Sequence, residues 1–89
     1  MKLKQFKRKN VIAFIKNNPV KMYDLLNMDK CLGTQFLKSL GHEKAQCLVS
    51  EFSLDNGEHY EYETPKWFPK LFDYGSIFYD KELIELIEG

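Results

Sequence analysis

Between Gln46 and Thr64 the chain reads as two runs that alternate apolar and polar residues, separated by Asp55-Asn56-Gly57. Period-two alternation marks strands, and Asp-Asn-Gly marks a tight turn, so the stretch predicts an antiparallel hairpin. Its register decides which side chains share a face. A two-residue Asn56-Gly57 loop would set Phe52 opposite Glu61 and Leu54 opposite His59, mixing the faces. A three-residue loop, Asp55 to Gly57, sets Phe52 opposite Tyr60, Ser50 opposite Tyr62 and Leu48 opposite Thr64. That register gives one coherent apolar face, which a one-residue slip would destroy. Gly57 is then expected in the left-handed position of a type I turn with a bulge. The opposite face carries Glu51 across from Glu61 and Val49 across from Glu63, with Glu58 and His59 nearby. Like charges facing each other across strands cost roughly 0.2–1 kcal/mol.

Ahead of the hairpin the period changes to that of a helix. Val11, Ile12, Phe14 and Ile15 supply an apolar face for a helix over Arg8–Asn17, with Lys9 and Lys16 on its polar side. Asn17-Asn18-Pro19 ends it, because a residue before proline is pushed out of the helical region. Val20, Tyr23 and Leu26, at spacings of three, predict a second short helix. Asp29 is the expected N-cap of a third, Lys30–Leu40, whose buried stripe is Leu32, Phe36, Leu37 and Leu40. Gly41 stands where a left-handed cap is expected. Gly33, inside that helix, costs about 1 kcal/mol against alanine and predicts a close helix–helix approach.

After the hairpin, residues 65–79 hold Trp67, Phe68, Phe72, Tyr74, Phe78 and Tyr79. Pro65 and Pro69 exclude a regular central strand there. The segment is expected to be irregular, with a turn of helix near Lys70–Tyr74. Asp80 is the expected cap of a last helix, Lys81–Glu88, with Tyr79 and Ile84 as a hydrophobic staple. Leu83, Ile84 and Ile87 face inward.

The elements predict one small α+β domain over residues 1–89. It has a basic arm (1–7), three N-terminal helices, an antiparallel hairpin and a C-terminal helix. That order is winged-helix-like, with Lys30–Leu40 in the place of the recognition helix. Fold order of this kind does not specify function.

Composition adds a core and a charge division. Apolar residues make up 44% of the chain and aromatics 15%, enough for one core and unlike a disordered composition. The formal net charge is zero, yet residues 1–45 carry ten Lys/Arg against three Asp/Glu and residues 46–89 carry three against ten. Opposite halves of +7 and −7 point to charged partners. Cys31 and Cys47 form neither a disulfide framework nor a zinc motif and are expected as reduced, partly buried thiols. The basic start lacks a signal peptide's apolar run, since Val11–Ile15 is followed by Lys16. No run approaches the roughly 20 apolar residues of a membrane span. The expected location is cytoplasmic.

Two surfaces carry the functional expectations. The first is acidic and aromatic: Glu51, Glu58, His59, Glu61 and Glu63 with Trp67 and Phe68, a set suited to a basic protein partner. The second is basic: Lys2, Lys4, Lys7, Arg8, Lys9 and Lys16, with Lys30, Thr34 and Lys38 on the third helix. Clustered cations neutralise phosphate without reading sequence. The chain's only arginine is Arg8, whereas arginine to guanine is the commonest specific base contact. His59, Glu61 and Glu51 fall on one face without metal-motif spacing. Cys31, early in a helix, has no general base beside it, so no catalytic residue, metal or cofactor is expected.

The leading expectation is a small non-enzymatic protein-binding module. Its acidic hairpin would occupy the basic surface of a nucleic-acid-handling protein, as a Lys/Asn-rich phage or mobile-element inhibitor would. The alternative is a winged-helix-like DNA- or RNA-binding protein using the basic arm and third helix. A salt-sensitive head-to-tail homodimer is the third reading.

Overall fold

The structure is a computed structural model and describes every residue of the chain except Asn56. Its centre is an aromatic cluster around Phe6. The Phe6 ring lies 5.3 Å from that of Phe36, 5.4 Å from Phe52, 5.4 Å from Phe68 and 6.1 Å from Trp67. The basic arm is thus anchored by its one large aromatic, which ties it to three later parts of the chain.

Helix α1 (Arg8–Asn17) buries Val11 and Ile15, one turn apart, and packs against α4 (Asp80–Glu88), which buries Leu83 and Ile87. Asn18 is extended (ψ 130°), as the following Pro19 requires.

The expected helix over Val20–Leu26 is instead strand β1 (Met22–Asp24), so the N-terminal half has two helices and not three. Strand β1 pairs antiparallel with β5 (Ile77–Tyr79), with Met22 opposite Tyr79, Tyr23 opposite Phe78 and Asp24 opposite Ile77. Two further backbone bonds extend this ribbon, Leu25 N to Ser76 O at 2.7 Å and Asp80 N to Lys21 O at 2.8 Å. The inward residues are Tyr23 and Leu25, a period of two, while Val20 (37% exposed) and Leu26 (75%) face out. A spacing of three therefore misassigned the stretch. Its strand partner lies more than fifty positions away and leaves no local signal.

Helix α2 (Leu32–Ser39) begins later than expected, with Cys31 and not Asp29 at its N-cap position. Asp29 belongs to the preceding turn, where its N–H donates to Asn27 Oδ1 at 3.0 Å. The other end matches expectation. Gly41 has φ +101°, its N–H donates to Lys38 O and that of His42 donates to Leu37 O, a Schellman ending. Gly33 does mark a close approach, first to the Cys47 side chain of β2 (Gln46–Cys47) and then to the ring of Phe68, which lies on a later turn of helix.

The hairpin exists in a different register. Its expected first strand is broken into β2 and β3 (Glu51–Ser53), joined by a turn in which Leu48 N donates to Glu51 O at 2.8 Å. Strand β3 then pairs with β4 (Tyr62–Glu63), setting Phe52 opposite Tyr62 and Glu51 opposite Glu63. The shift from Tyr60 to Tyr62 is two residues, so the faces keep their parity, and Tyr62 stacks on Phe52 at 5.1 Å with 15° between the rings. Two interactions account for the longer connection. Ser53 Oγ is buried and accepts the N–H groups of Asp55 and Gly57, and Tyr60 leaves the ladder to donate its hydroxyl to Gln46 Oε1 at 3.0 Å. Gly57 has φ +77°, as the turn predicts; its neighbour Asn56 lies outside the described residues.

The aromatic segment forms a turn of helix, α3 (Trp67–Lys70), which runs into a 3-10 turn over Leu71–Tyr74. Tyr79 takes the N-cap position of α4 and Asp80 is its first residue. Glu82 Oε1 accepts the Tyr79 N–H at 3.1 Å. Phe78 and Leu83, both buried, take the staple positions in place of Tyr79 and Ile84. Among the described residues no helix is long and apolar enough to cross a membrane.

Candidate functional site

The acidic edge is built on β3 and β4. Directly opposed residues of a ladder project to the same face, so Glu51 and Glu63 present two exposed carboxylates side by side. Lys2 pairs with Glu63 in a parallel bridge, and Glu63 N donates to Met1 O at 2.8 Å. The start of the basic arm therefore runs along the outer edge of the acidic hairpin, and the two charged halves of the sequence meet there. Among the described residues the one ion pair is elsewhere, between Lys21 Nζ and Asp80 Oδ2 at 3.6 Å.

Glu58, His59 and Glu61 are exposed on the connection between β3 and β4. The loop is held from within: the Ser53 hydroxyl donates to Asp55 Oδ1, which also accepts the His59 N–H at 3.3 Å. The Ser53 hydrogen bond, and to a lesser extent His59, holds the Asp55 carboxyl below the usual carboxylate range. Trp67 is half-buried at the margin of the Phe6 cluster. Phe68 is 0% exposed, so it fills the core and leaves the proposed contact surface. Five polar side chains and the open side of Trp67 remain at the surface.

The basic set divides in the same way. Lys2, Lys4, Lys7, Arg8, Lys9 and Lys16 are all exposed, as are Lys30 and Lys38. Thr34 is 1% exposed, and its hydroxyl accepts the Cys47 N–H at 3.0 Å. The stripe Lys30/Thr34/Lys38 is therefore interrupted at its middle by a side chain that fastens α2 to β2.

Two features had no signal at sequence level. The outer face of the β1–β5 ribbon exposes Met22, Ile77 and Tyr79, an apolar strip that is legible only once the two strands are paired. A cleft of about 350 Å³ is lined by Tyr74, Phe78, Glu82, Glu85 and Leu86. Among the described residues no three His, Cys, Asp or Glu side chains converge as a metal-ligand set, and Glu51, His59 and Glu61 do not form one. Comparison of the chain with protein-family models, with curated proteins and with solved structures returned no match.

Proposed function

We propose that this chain is a small protein-binding module whose acidic hairpin engages a basic surface on another protein. The observation that supports it is the Glu51–Glu63 pair, two exposed carboxylates held directly opposite each other on a short edge ladder. The placement costs stability of roughly 0.2–1 kcal/mol. A cationic partner turns that cost into attraction on binding and raises the association rate. Glu58, His59 and Glu61 extend the surface, and Trp67 supplies its aromatic part. A nucleic-acid-handling protein carries the complementary cationic path, so inhibition by occupying that path, as by a phage or mobile-element accessory protein, is the mechanism.

The test is capture of basic partners from a lysate by the immobilised protein, compared with a Glu51→Gln/Glu61→Gln/Glu63→Gln variant checked for folding. Loss of the captured partner in the triple variant is the expected result. Retained capture by the folded variant sinks the reading.

Exposure of all six basic residues between Lys2 and Lys16 supports a second reading, direct contact with DNA or RNA by a winged-helix-like domain. Binding of labelled single- and double-stranded nucleic acids at low and moderate salt separates the two. Salt-sensitive binding lost with Lys7, Arg8 and Lys9 replaced favours the second reading, and no binding at low salt eliminates it.

A further inference from the structure

The outer edge of β4 holds the first residues of the chain. Glu63 N donates to Met1 O at 2.8 Å, and the Lys2–Glu63 bridge sets that segment parallel to β4. On its inner side Glu63 stands opposite Glu51. Level residues of a ladder project to one face, so Lys2, Glu63 and Glu51 form a row across three strands. Glu61, also exposed, precedes Glu63 along the same edge. The edge thus already holds an extended segment with a lysine level with the paired carboxylates.

The hold on that segment is slight. Met1 is 68% exposed, and Lys2, Lys4 and Gln5 are exposed as well. Among the described residues Lys2 makes no ion pair with Glu63 or Glu51. The buried anchor of the arm comes later, at Phe6, beyond a turn in which Phe6 N donates to Leu3 O at 3.1 Å and Lys7 N to Gln5 O at 3.0 Å. Residues 1–2 are therefore free to leave the edge while Phe6 stays in the core, and exposed ends held in this way open at small free-energy cost. Once they leave, the Glu63 N–H is unpaired and becomes a template for another strand.

We propose that a basic protein partner docks on this edge as an added strand. An extended segment with Lys or Arg at alternate positions runs parallel to β4 in the place of residues 1–2, with its cations on the Glu51/Glu63 face. Backbone bonds to β4 fix its direction and register, and the two carboxylates select its charge. The arm then acts as an internal competitor, lowering the apparent affinity by the fraction of molecules in which it covers the edge. The inference rests on the reading of the acidic hairpin as a surface for a basic protein and adds the mode of contact.

Two labelled peptides of alternating lysine and threonine test it, one unmodified and one N-methylated at the threonine amides, which keeps the charge and removes the strand bonds. Each is titrated by fluorescence anisotropy at low salt into the native chain, a variant lacking Lys2–Lys4, and the full-length Lys2→Gln/Lys4→Gln variant. The unmodified peptide is expected to bind the native chain and to bind the shortened one about tenfold more tightly, the gain if the arm covers about nine-tenths of the edges. The charge-matched Gln variant gains less, because its arm still competes. The methylated peptide binds every form more weakly, and only the unmodified one slows hydrogen exchange at the Glu61 amide. Equal affinity of the two peptides for the native chain overturns strand addition, and that comparison decides the matter even where the shortened chain does not fold. Equal affinity of the folded shortened chain and the native chain overturns the competition. If both peptides bind alike and both are lost in Glu51→Gln/Glu61→Gln/Glu63→Gln, the acidic surface stands without the strand. No binding of either peptide to any form overturns both readings.

Discussion

The Cys47 sulfur occupies the space that a Cβ on Gly33 would need. A helix pays for an internal glycine with backbone entropy, and here the missing side chain lets a strand lie directly on the first turn of α2. Gly33→Ala is expected to destabilise the protein by about 1–3 kcal/mol in chemical denaturation despite alanine's better helix propensity, because the crowded neighbours are the Cys47 side chain and the Phe68 ring. Combining it with Cys47→Ala should cost less than the sum of the two single changes, and strict additivity would show that the crowding is not between these residues.

Phe6 belongs to a nominally basic arm, yet it is the ring on which four other aromatics converge. Phe6→Ala should cost about 3–5 kcal/mol, as expected for a fully packed aromatic. Lys4→Ala, two positions away and exposed, should stay within about 0.5 kcal/mol. Urea midpoints of the two variants check this, and equal midpoints would mean that the arm does not contribute to the core.

Glu51→Lys places a cation opposite Glu63. Exchange of repulsion for attraction should leave stability unchanged or raise it by up to about 1 kcal/mol. The same change should abolish capture of a basic partner. A stability gain together with lost binding is the signature of a residue kept for recognition, and loss of both would mark Glu51 as structural.

The Tyr23 hydroxyl is buried and accepts a hydrogen bond from Asn18 Nδ2 at 2.9 Å, and Asn18 also donates to Gln35 Oε1 at 3.3 Å. Burial, helped by the Asp80 charge and opposed by Asn18, raises its pKa. A raised acid favours the folded state below the unfolded value of about 10 and loses that contribution as pH climbs through the folded value. Stability should therefore fall from about pH 10 upward, and Tyr23→Phe should flatten that limb in denaturation curves taken across the alkaline range. An unchanged alkaline limb in Tyr23→Phe would place its cause in another group.

Local chemistry was enough to specify the helix over Arg8–Asn17, a helix within the expected span Lys30–Leu40, the Gly41 ending, the left-handed Gly57 and the α+β class. Each of these rests on residues within a few positions of one another, where side-chain period, proline and glycine act directly. Parity of the hairpin faces was legible for the same reason, since alternation survives a shift of two residues. Tertiary structure alone decided the rest. Met22–Asp24 became a strand because Ile77–Tyr79 offered it a ladder, and Phe52 met Tyr62 because Ser53 and Gln46 drew the intervening loop into hydrogen bonds of its own. Phe68 and Thr34 left the surface, and Cys47 came to lie against Gly33, through contacts between distant segments. Such pairings are selected by how the whole core packs, and no window of the sequence contains them.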